Sequence, residues 1–513
     1  MANDHSETPA PLDPTVVAPV VTVKTGQVRG VHRSGSDAFF GIPYAKAPVG
    51  PLLYAAPQPP VPWEGVRDAT KPGATALYQT MPNTLIPEPA VAGDDYLTVN
   101  VFTPTTTPDA PLPVLFWIHG GGFLMGSPTG PWYQGESFNR DDVIVVTCGY
   151  RLGFAGFGWL PGGDNNRAVR DWLAALEWVQ ENIGAFGGDP DQVTIAGQSA
   201  GGTAVLTLLS MPSAQHLFKS VWASSAVLID LDPGQAMEFT YRLAHELGIP
   251  ATEEEFQCVD AERMFQAETA ASEPEEKGPA GLRSRLDDGL PLAPVVDGDL
   301  IPDSVLGSIK KGVGADKPLV IGSNKDELIT LSQTIRGPLK LIPPKTVARI
   351  LGIKGKQLAR YAADNPQSFR KGSPPVAVRI ATDRVFRVEV VRVAGARASR
   401  PESVEHTWVY TFDWASPVYG GAVHCVDVPF FFDVLARNDT EALLGSNAPR
   451  DIAKELHQDA VELVKRGLVD WPYWSPAARI VKVFDDVPQS PRFGTYGGSH
   501  LRKSGYDAVD ALV

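Results

Sequence analysis

Residues 114–118 (Val-Leu-Phe-Trp-Ile) contain no polar position and run into three glycines, the pattern of a strand covered on both faces. Residues 143–146 and 193–196 repeat it. Between those two, Trp172, Leu176, Val179 and Ile183 recur at helical spacing with acidic residues toward the other face, which predicts a helix over 171–183. Gly187-Gly188-Asp189-Pro190 then stops the helix and turns the chain into the next strand. Strand, helix, strand in this order predicts a parallel sheet with right-handed crossovers. From about 235 to 290 the pattern turns polar and helical, punctuated by Glu253-Glu254-Glu255 and Glu273-Pro274-Glu275-Glu276, and reads as an excursion of surface helices and loops over the sheet. Strand-like runs return at 318–321 and 407–412, and a long helix is predicted over 451–465. The expected organisation is a disordered leader (1–20), one α/β domain (21–485) and a tail rich in Gly, Ser and Pro (486–513) with no assignable pattern.

Length alone, 513 residues, would allow three domains, but the strands and helices above fit one sheet better, and no internal repeat divides them. The chain carries 59 acidic and 45 basic residues, a formal charge of −14, with no stripe rich in Lys and Arg. That balance excludes nucleic acid and anionic membrane as expected partners. Three cysteines (Cys148, Cys258, Cys425) cannot frame a chain this long with disulfides, and Cys148, inside an apolar run, reads as a small core residue. The first twenty residues lack a basic segment followed by an apolar one, and no stretch approaches the roughly 18 apolar residues a membrane span needs, so a cytoplasmic location is expected. The oligomeric state stays open between monomer and weak dimer.

Chemistry concentrates at four places. Gly197-Gln198-Ser199-Ala200-Gly201 follows one predicted strand and leads into helix-forming residues, which places a serine on a sharp strand-to-helix turn with its hydroxyl exposed. His119-Gly120-Gly121-Gly122-Phe123 follows another strand. Its glycines let backbone N–H groups converge on one point, as an oxyanion requires, and the absence of a following Lys-Ser/Thr argues against a phosphate loop. A nucleophilic serine needs a base, and His406, His424, His457 and His500 all lie late enough in the chain. His406 falls in an alternating strand, His457 on the polar side of a helix and His500 in the tail, whereas His424 occupies a glycine-marked loop before an apolar run. For the acid, Asp326 and Glu327 both follow the strand at 318–321, and the residues alone do not choose between them.

Taken together these segments resemble the type-B carboxylesterase family, which includes cholinesterases and bacterial p-nitrobenzyl esterases. The likeness runs from about residue 25 to 485, through Thr25-Gly26-Gln27-Val28-Arg29-Gly30, Phe40-Gly41-Ile42-Pro43-Tyr44-Ala45, Trp63-Glu64-Gly65-Val66, Asp95-Tyr96-Leu97-Thr98-Val99-Asn100-Val101 and the two glycine motifs above. It implies an α/β-hydrolase fold: a large, mostly parallel central sheet flanked by helices, with a helical sub-region on the active-site side. It implies Ser199 as nucleophile, Glu327 rather than Asp326 as acid, and His424 as base. Gly121, Gly122 and Ala200 would donate the oxyanion-hole N–H groups, and Ser224 would be a second, buried serine supporting the acid. Arg151 and Asp171 match a structural ion pair. The pattern also departs from the family. Tyr96 stands where a disulfide cysteine is usual, Leu53 replaces an arginine, and Leu328, Cys425 and Ser225 stand where glycine or another small residue is usual.

The expected activity is carboxylic ester hydrolysis through an acyl-enzyme, with no metal and no cofactor, on a small-molecule ester. The same triad acting on carbamates or amides, a lipase, and a non-catalytic binding protein of the same fold are the alternatives. Activity is expected to fall below roughly pH 6.5, the ordinary histidine value. Phe123, Leu124, Trp132 and Tyr133 are candidate pocket residues that would favour apolar or aromatic esters, packing of the loop being the equal alternative.

Overall fold

A computed structural model describes residues 18–33, 35–76, 84–273, 281, 283, 286, 289–331, 338–486, 495–496, 499–503, 506, 509 and 512. In chain order the strands are β1 (Val20–Val23), β2 (Gly26–Arg29), β3 (Val31–Arg33), β4 (Ser36–Pro43), β5 (Val66–Asp68), β6 (Thr98–Thr103), β7 (Leu112–Ile118) and β8 (Ile144–Cys148). They continue with β9 (Gly188–Gln198), β10 (Ser220–Ser224), β11 (Leu319–Asn324), β12 (Thr407–Phe412), β13 (Ile480–Phe484), β14 (Thr495–Tyr496) and β15 (Ser499–Lys503). Twelve form one sheet in the order β14-β15-β13-β12-β11-β10-β9-β7-β8-β6-β4-β3, and β1, β2 and β5 form a small second sheet. From β8 to β13 every neighbouring pair in that sheet is parallel; the strands outside that span pair antiparallel. This is the large, mostly parallel sheet of the α/β-hydrolase fold.

The continuous apolar runs follow from burial on both sides. In β7, Val114, Phe116 and Ile118 enter one core, while Leu115 and Trp117 enter the other. Alternation along a strand sends neighbours to opposite faces, so a strand with two covered faces has no polar position to spare. Helices Arg167–Asn182, Ala200–Ser210 and Val388–Ala398 contribute to the first core, and Arg450–Arg466 to the second. The matching ion pair is present: Arg151 and Asp171 meet at 2.7 Å with both side chains fully buried. A buried pair of this kind, with further hydrogen bonds from Arg151 to the carbonyls of Leu53 and Ala55, fixes loops rather than performing chemistry.

Helices Pro233–Leu247, Glu253–Gln257 and Ala261–Ala271 occupy the first part of the polar stretch read at 235–290, and most of 274–288 lies outside the described residues. A second helical stretch between β11 and β12, over 344–398, carries a small core of its own around Val347, Leu351, Tyr361, Val376 and Ile380. The sequence reading did not single it out. It contains a π-turn, Asp383–Arg387, between helices Ser373–Thr382 and Val388–Ala398.

Residues 1–17 of the leader lie outside the described residues, and β1 already begins at Val20. The tail left unassigned supplies β14 and β15; β15 pairs antiparallel with β13, and Tyr506 is buried, its hydroxyl donating to the Tyr410 carbonyl at 2.7 Å. Its short strands carry too weak an apolar pattern to be read without the edge they cover. Among the described residues no helix is long and apolar enough to cross a membrane, and no group of three His, Cys, Asp or Glu is placed to hold a metal.

Candidate active site

Ser199 stands where β9 passes into helix Ala200–Ser210, with φ 59° and ψ −122°. This is a backbone state that side chains rarely adopt, and the glycines around it make it possible. A Cβ on Gly197 would lie 2.4 Å from the Gly201 carbonyl group, and one on Gly201 would lie 2.0 Å from the Ile118 carbonyl oxygen at the end of β7. The turn closes only with hydrogen at both positions. The Ser199 N–H donates to the Ser224 carbonyl at 2.9 Å, tying the turn to the end of β10.

The imidazole of His424 lies against this turn: its Nε2 is 2.9 Å from Ser199 Oγ, and its Nδ1 is 2.6 Å from Glu327 Oε2. Glu327 is fully buried just beyond β11, and its other oxygen accepts from the Asn324 N–H at 2.7 Å. The His424 N–H in turn donates to the Glu327 carbonyl at 3.0 Å, so the two loops are joined through their backbones as well as through their side chains. Asp326, the other acid the motif offered, points away and pairs with Arg379 at 3.5 Å.

The hydroxyl that reaches Glu327 is not the expected one. Ser225 Oγ donates to Glu327 Oε1 at 2.6 Å, whereas Ser224 Oγ meets Tyr410 OH at 2.7 Å and accepts from Trp222 Nε1 at 3.1 Å. Strand alternation explains the correction: Ser224, two residues after Trp222, stays on Trp222's face. Ser225 leaves the strand at φ 48° and swings its hydroxyl toward the acid. Cys425 likewise has φ 66°. Both stand where the family resemblance would put glycine or a small residue, because the chain there is left-handed.

Gly121 and Gly122 also have positive φ, 107° and 62°. A Cβ on the preceding Gly120 would lie 3.2 Å from Ser199 Cβ, which measures how closely this loop approaches the serine. Among the described residues, no acceptor in the chain takes the N–H of Gly121, Gly122 or Ala200. An anion at the serine would therefore find amide donors already freed of other partners.

A model of the carboxylesterase family matches residues 17–467. A para-nitrobenzyl esterase of Bacillus subtilis (strain 168) is 33% identical over 494 residues, covering 91% of this chain and 94% of its own. A phenmedipham hydrolase of Pseudarthrobacter oxydans is 32% identical over 91% of this chain and 95% of its own. A solved PNB esterase superposes with a TM-score of 0.81 at 28% identity, covering 97% of this chain and all of the other. A carboxylesterase of Geobacillus stearothermophilus gives 0.76 at 31% identity, over 95% and 98%. The chain belongs to the carboxylesterase family. It is a carboxylic ester hydrolase.

Electrostatics in this esterase favour a charged imidazole at His424. Burial of the ring works against the charge, but Cys425 and the Glu327 carboxylate outweigh it and hold the pKa well above the ordinary histidine value. Burial pushes the Cys425 thiol up from its ordinary value. Since that thiol keeps its proton at neutral pH, Glu327 is the cause that persists there. If His424 serves as the base, this moves the acid limb expected near pH 6.5 to a higher pH. His119, by contrast, is a poor base: burial lowers its pKa to about 4, its ring stacks on Tyr150 at 4.4 Å, and its Nδ1 faces the Gly120 carbonyl.

The three aromatic pocket candidates follow the packing alternative. Phe123 is fully buried, its ring 4.5 Å from that of Phe157 and 6.1 Å from that of Trp172, so it walls the core beneath the glycine loop. Leu124 packs, half-buried, against the same core. Trp132 and Tyr133 lie in the core on the other face, with Trp132 Nε1 donating to Asp439. His457, read as lying on the polar side of its helix, is buried between the Phe431 carbonyl and Asp141, because its helix carries apolar residues on both sides of it.

Sequence reasoning missed two contacts on the imidazole and a third that holds one of them. Gln198 Nε2 lies 3.2 Å from His424 Nε2, Cys425 Sγ donates to Gln198 Oε1 at 3.3 Å, and the Phe386 ring packs on the imidazole at 4.9 Å from the π-turn. Gln198 flanks the motif serine and could have been flagged for that; Cys425 stood out as a departure beside the histidine, but its partner did not. Nothing local marks Phe386.

Proposed function

We propose that the esterase works by acyl transfer in which Ser199 is the nucleophile, His424 the general base and Glu327 the acid that orients it. The observation that carries this reading is the unbroken chain Ser199 Oγ, His424 Nε2, His424 Nδ1, Glu327 Oε2, with contacts of 2.9 and 2.6 Å joining three distant stretches of sequence. With its proton on Nδ1 facing the carboxylate, the imidazole presents a lone pair to the serine hydroxyl. His424 takes that proton as Oγ attacks the ester carbonyl, and returns it to the departing alcohol. Gly121, Gly122 and Ala200 receive the oxyanion; one such donor typically contributes about 3 kcal/mol to the barrier reduction. Water then repeats the two steps on the acyl-enzyme to release the acid.

Ser199→Ala tests the assignment. Turnover of a p-nitrophenyl ester should fall on the order of 10⁴-fold or more while the far-ultraviolet circular dichroism is retained. A folded variant with near-parent turnover refutes it. The preferred substrates are small esters, and a chain-length series of p-nitrophenyl esters measures their size limit. A second reading, carbamate or amide cleavage by the same residues, is favoured by the relative named a phenmedipham hydrolase. Matched ester, carbamate and anilide substrates separate the two by their kcat/KM. We also place the enzyme in a reducing, cytoplasmic compartment, a reading supported by the three unpaired cysteines.

A further inference from the structure

We infer that Gln198, clamped by Cys425, is a positioning residue that fixes the tautomer of His424 and restrains the imidazole from charging. Resting on the triad reading above, this adds a control on its base.

The Gln198 side-chain amide is held at both ends. Gln198 is 1% exposed, so its amide has no water to turn toward. One end accepts from Cys425 Sγ at 3.3 Å. The end toward Cys425 is the amide oxygen, and the thiol, which keeps its proton at neutral pH, donates to it. That leaves the NH₂ group at the other end, 3.2 Å from His424 Nε2. An NH₂ group only donates, so it requires a lone pair on Nε2 and thereby places the ring proton on Nδ1, opposite Glu327. This is the tautomer a general base needs.

The same contact has a second consequence. Ser199 Oγ and Gln198 Nε2 both address the single lone pair of Nε2, at 2.9 and 3.2 Å. When Nε2 takes a proton, it faces an amide donor that cannot accept it. The clamp thus disfavours the imidazolium and opposes the carboxylate on the other side of the ring. Should the amide turn over, its oxygen would welcome the charge, and the Cys425 thiol is what resists the turn. The other charged and titratable groups around the ring do not duplicate this role. Glu327 lies on Nδ1, and Asp427, on the histidine's own loop, is buried and held by Asn324 Nδ2 at 3.1 Å. From the π-turn the neutral ring of Phe386 packs on the imidazole, and the Asp383 carboxylate beside it is taken up by Arg379 and Arg387.

The test is the acid limb of the kcat/KM profile. Gln198→Glu replaces the donor with a carboxylate and should raise the limb by about one pH unit or more. Cys425→Ala frees the amide to turn and should also raise the limb, whereas Cys425→Ser keeps a donor and should bring it back. A limb unmoved in both Gln198→Glu and Cys425→Ala overturns the inference, as does an equal limb in Cys425→Ala and Cys425→Ser. Each protein is first titrated with a fluorophosphonate and the labelled residue mapped. Failure of the parent chain to label at Ser199 would condemn the triad reading itself, while normal labelling with an unmoved limb condemns only the clamp.

Discussion

Replacing Ser225 separates two opposed effects at one position. Its hydroxyl donates to Glu327 Oε1 at 2.6 Å in a fully buried site, and a hydrogen bond to a charged group contributes about 1.5–3 kcal/mol. Its backbone, at φ 48°, is left-handed, which costs a residue bearing Cβ about 1–2 kcal/mol relative to glycine. Ser225→Ala loses the bond and keeps the strain, so it should destabilise by about 2 kcal/mol. Ser225→Gly loses the same bond and relieves the strain, so it should cost about 1 kcal/mol or less. With an unfolding entropy of about 2.1 cal/mol/K per residue, a chain of 513 residues shifts its midpoint by roughly 1 °C per kcal/mol. The alanine variant should thus melt about 2 °C below the parent, with the glycine variant between them, by scanning fluorimetry at one scan rate. Both variants leave Glu327 Oε1 with the Asn324 N–H alone, so both should lower kcat about 10-fold through a less firmly held imidazole. The ordering decides the matter: a glycine variant melting at or below the alanine variant would show that the backbone there is unstrained, and parent kcat in both would show that the hydroxyl does not position the acid.

Three further outcomes are expected. In the proposed mechanism neutral His424 is the base, and its pKa is raised, so kcat/KM should fall as pH drops through a value above 6.5; a limb at or below 6.5 contradicts the electrostatics. Burial raises the Glu268 carboxyl to about 7 against the opposing Phe154 N–H, so its contribution to stability is full below about pH 4.5 and is lost as pH rises to about 7. Glu268→Gln should remove that loss, on the order of 3 kcal/mol, so its melting temperature relative to the parent should be higher at pH 8 than at pH 5; a constant difference refutes this. Gly201→Ala would drive a Cβ to 2.0 Å from the Ile118 carbonyl oxygen and should cost about 3 kcal/mol or more together with serine labelling, and a variant that melts and labels like the parent would mean the turn can open without loss.

Much of this protein is written locally in its sequence. The strands at β7, β8, β9, β11 and β12 and the helices Arg167–Asn182 and Arg450–Arg466 were legible because both-face burial and one-face burial leave different periods in the residues. The glycines at 197, 201, 121 and 122 were legible because backbone geometry there tolerates no Cβ or needs positive φ, a demand met by one residue type. Ser199 and the glycine loop each sit at the end of a strand, so their position in the fold follows from their position in the chain.

What is decided across the chain had no such signature. Choosing Glu327 over Asp326 took a family likeness, since two adjacent carboxylates look alike until one meets an imidazole and the other an arginine. Which of Ser224 and Ser225 supports the acid turned on the residue at which β10 ends, a matter of one step in register. Phe123 looked like a pocket residue because it follows the glycine loop, and only the packing of Phe157 and Trp172 shows that it faces inward. Phe386 reaches His424 from a helical stretch inserted between β11 and β12, and the amide of Gln198 takes its orientation from a thiol 227 residues away. Backbone conformation is a local free energy and leaves its mark in the residues nearby. Contact between distant side chains is set by the sum of the packing, and appears only once the chain has closed on itself.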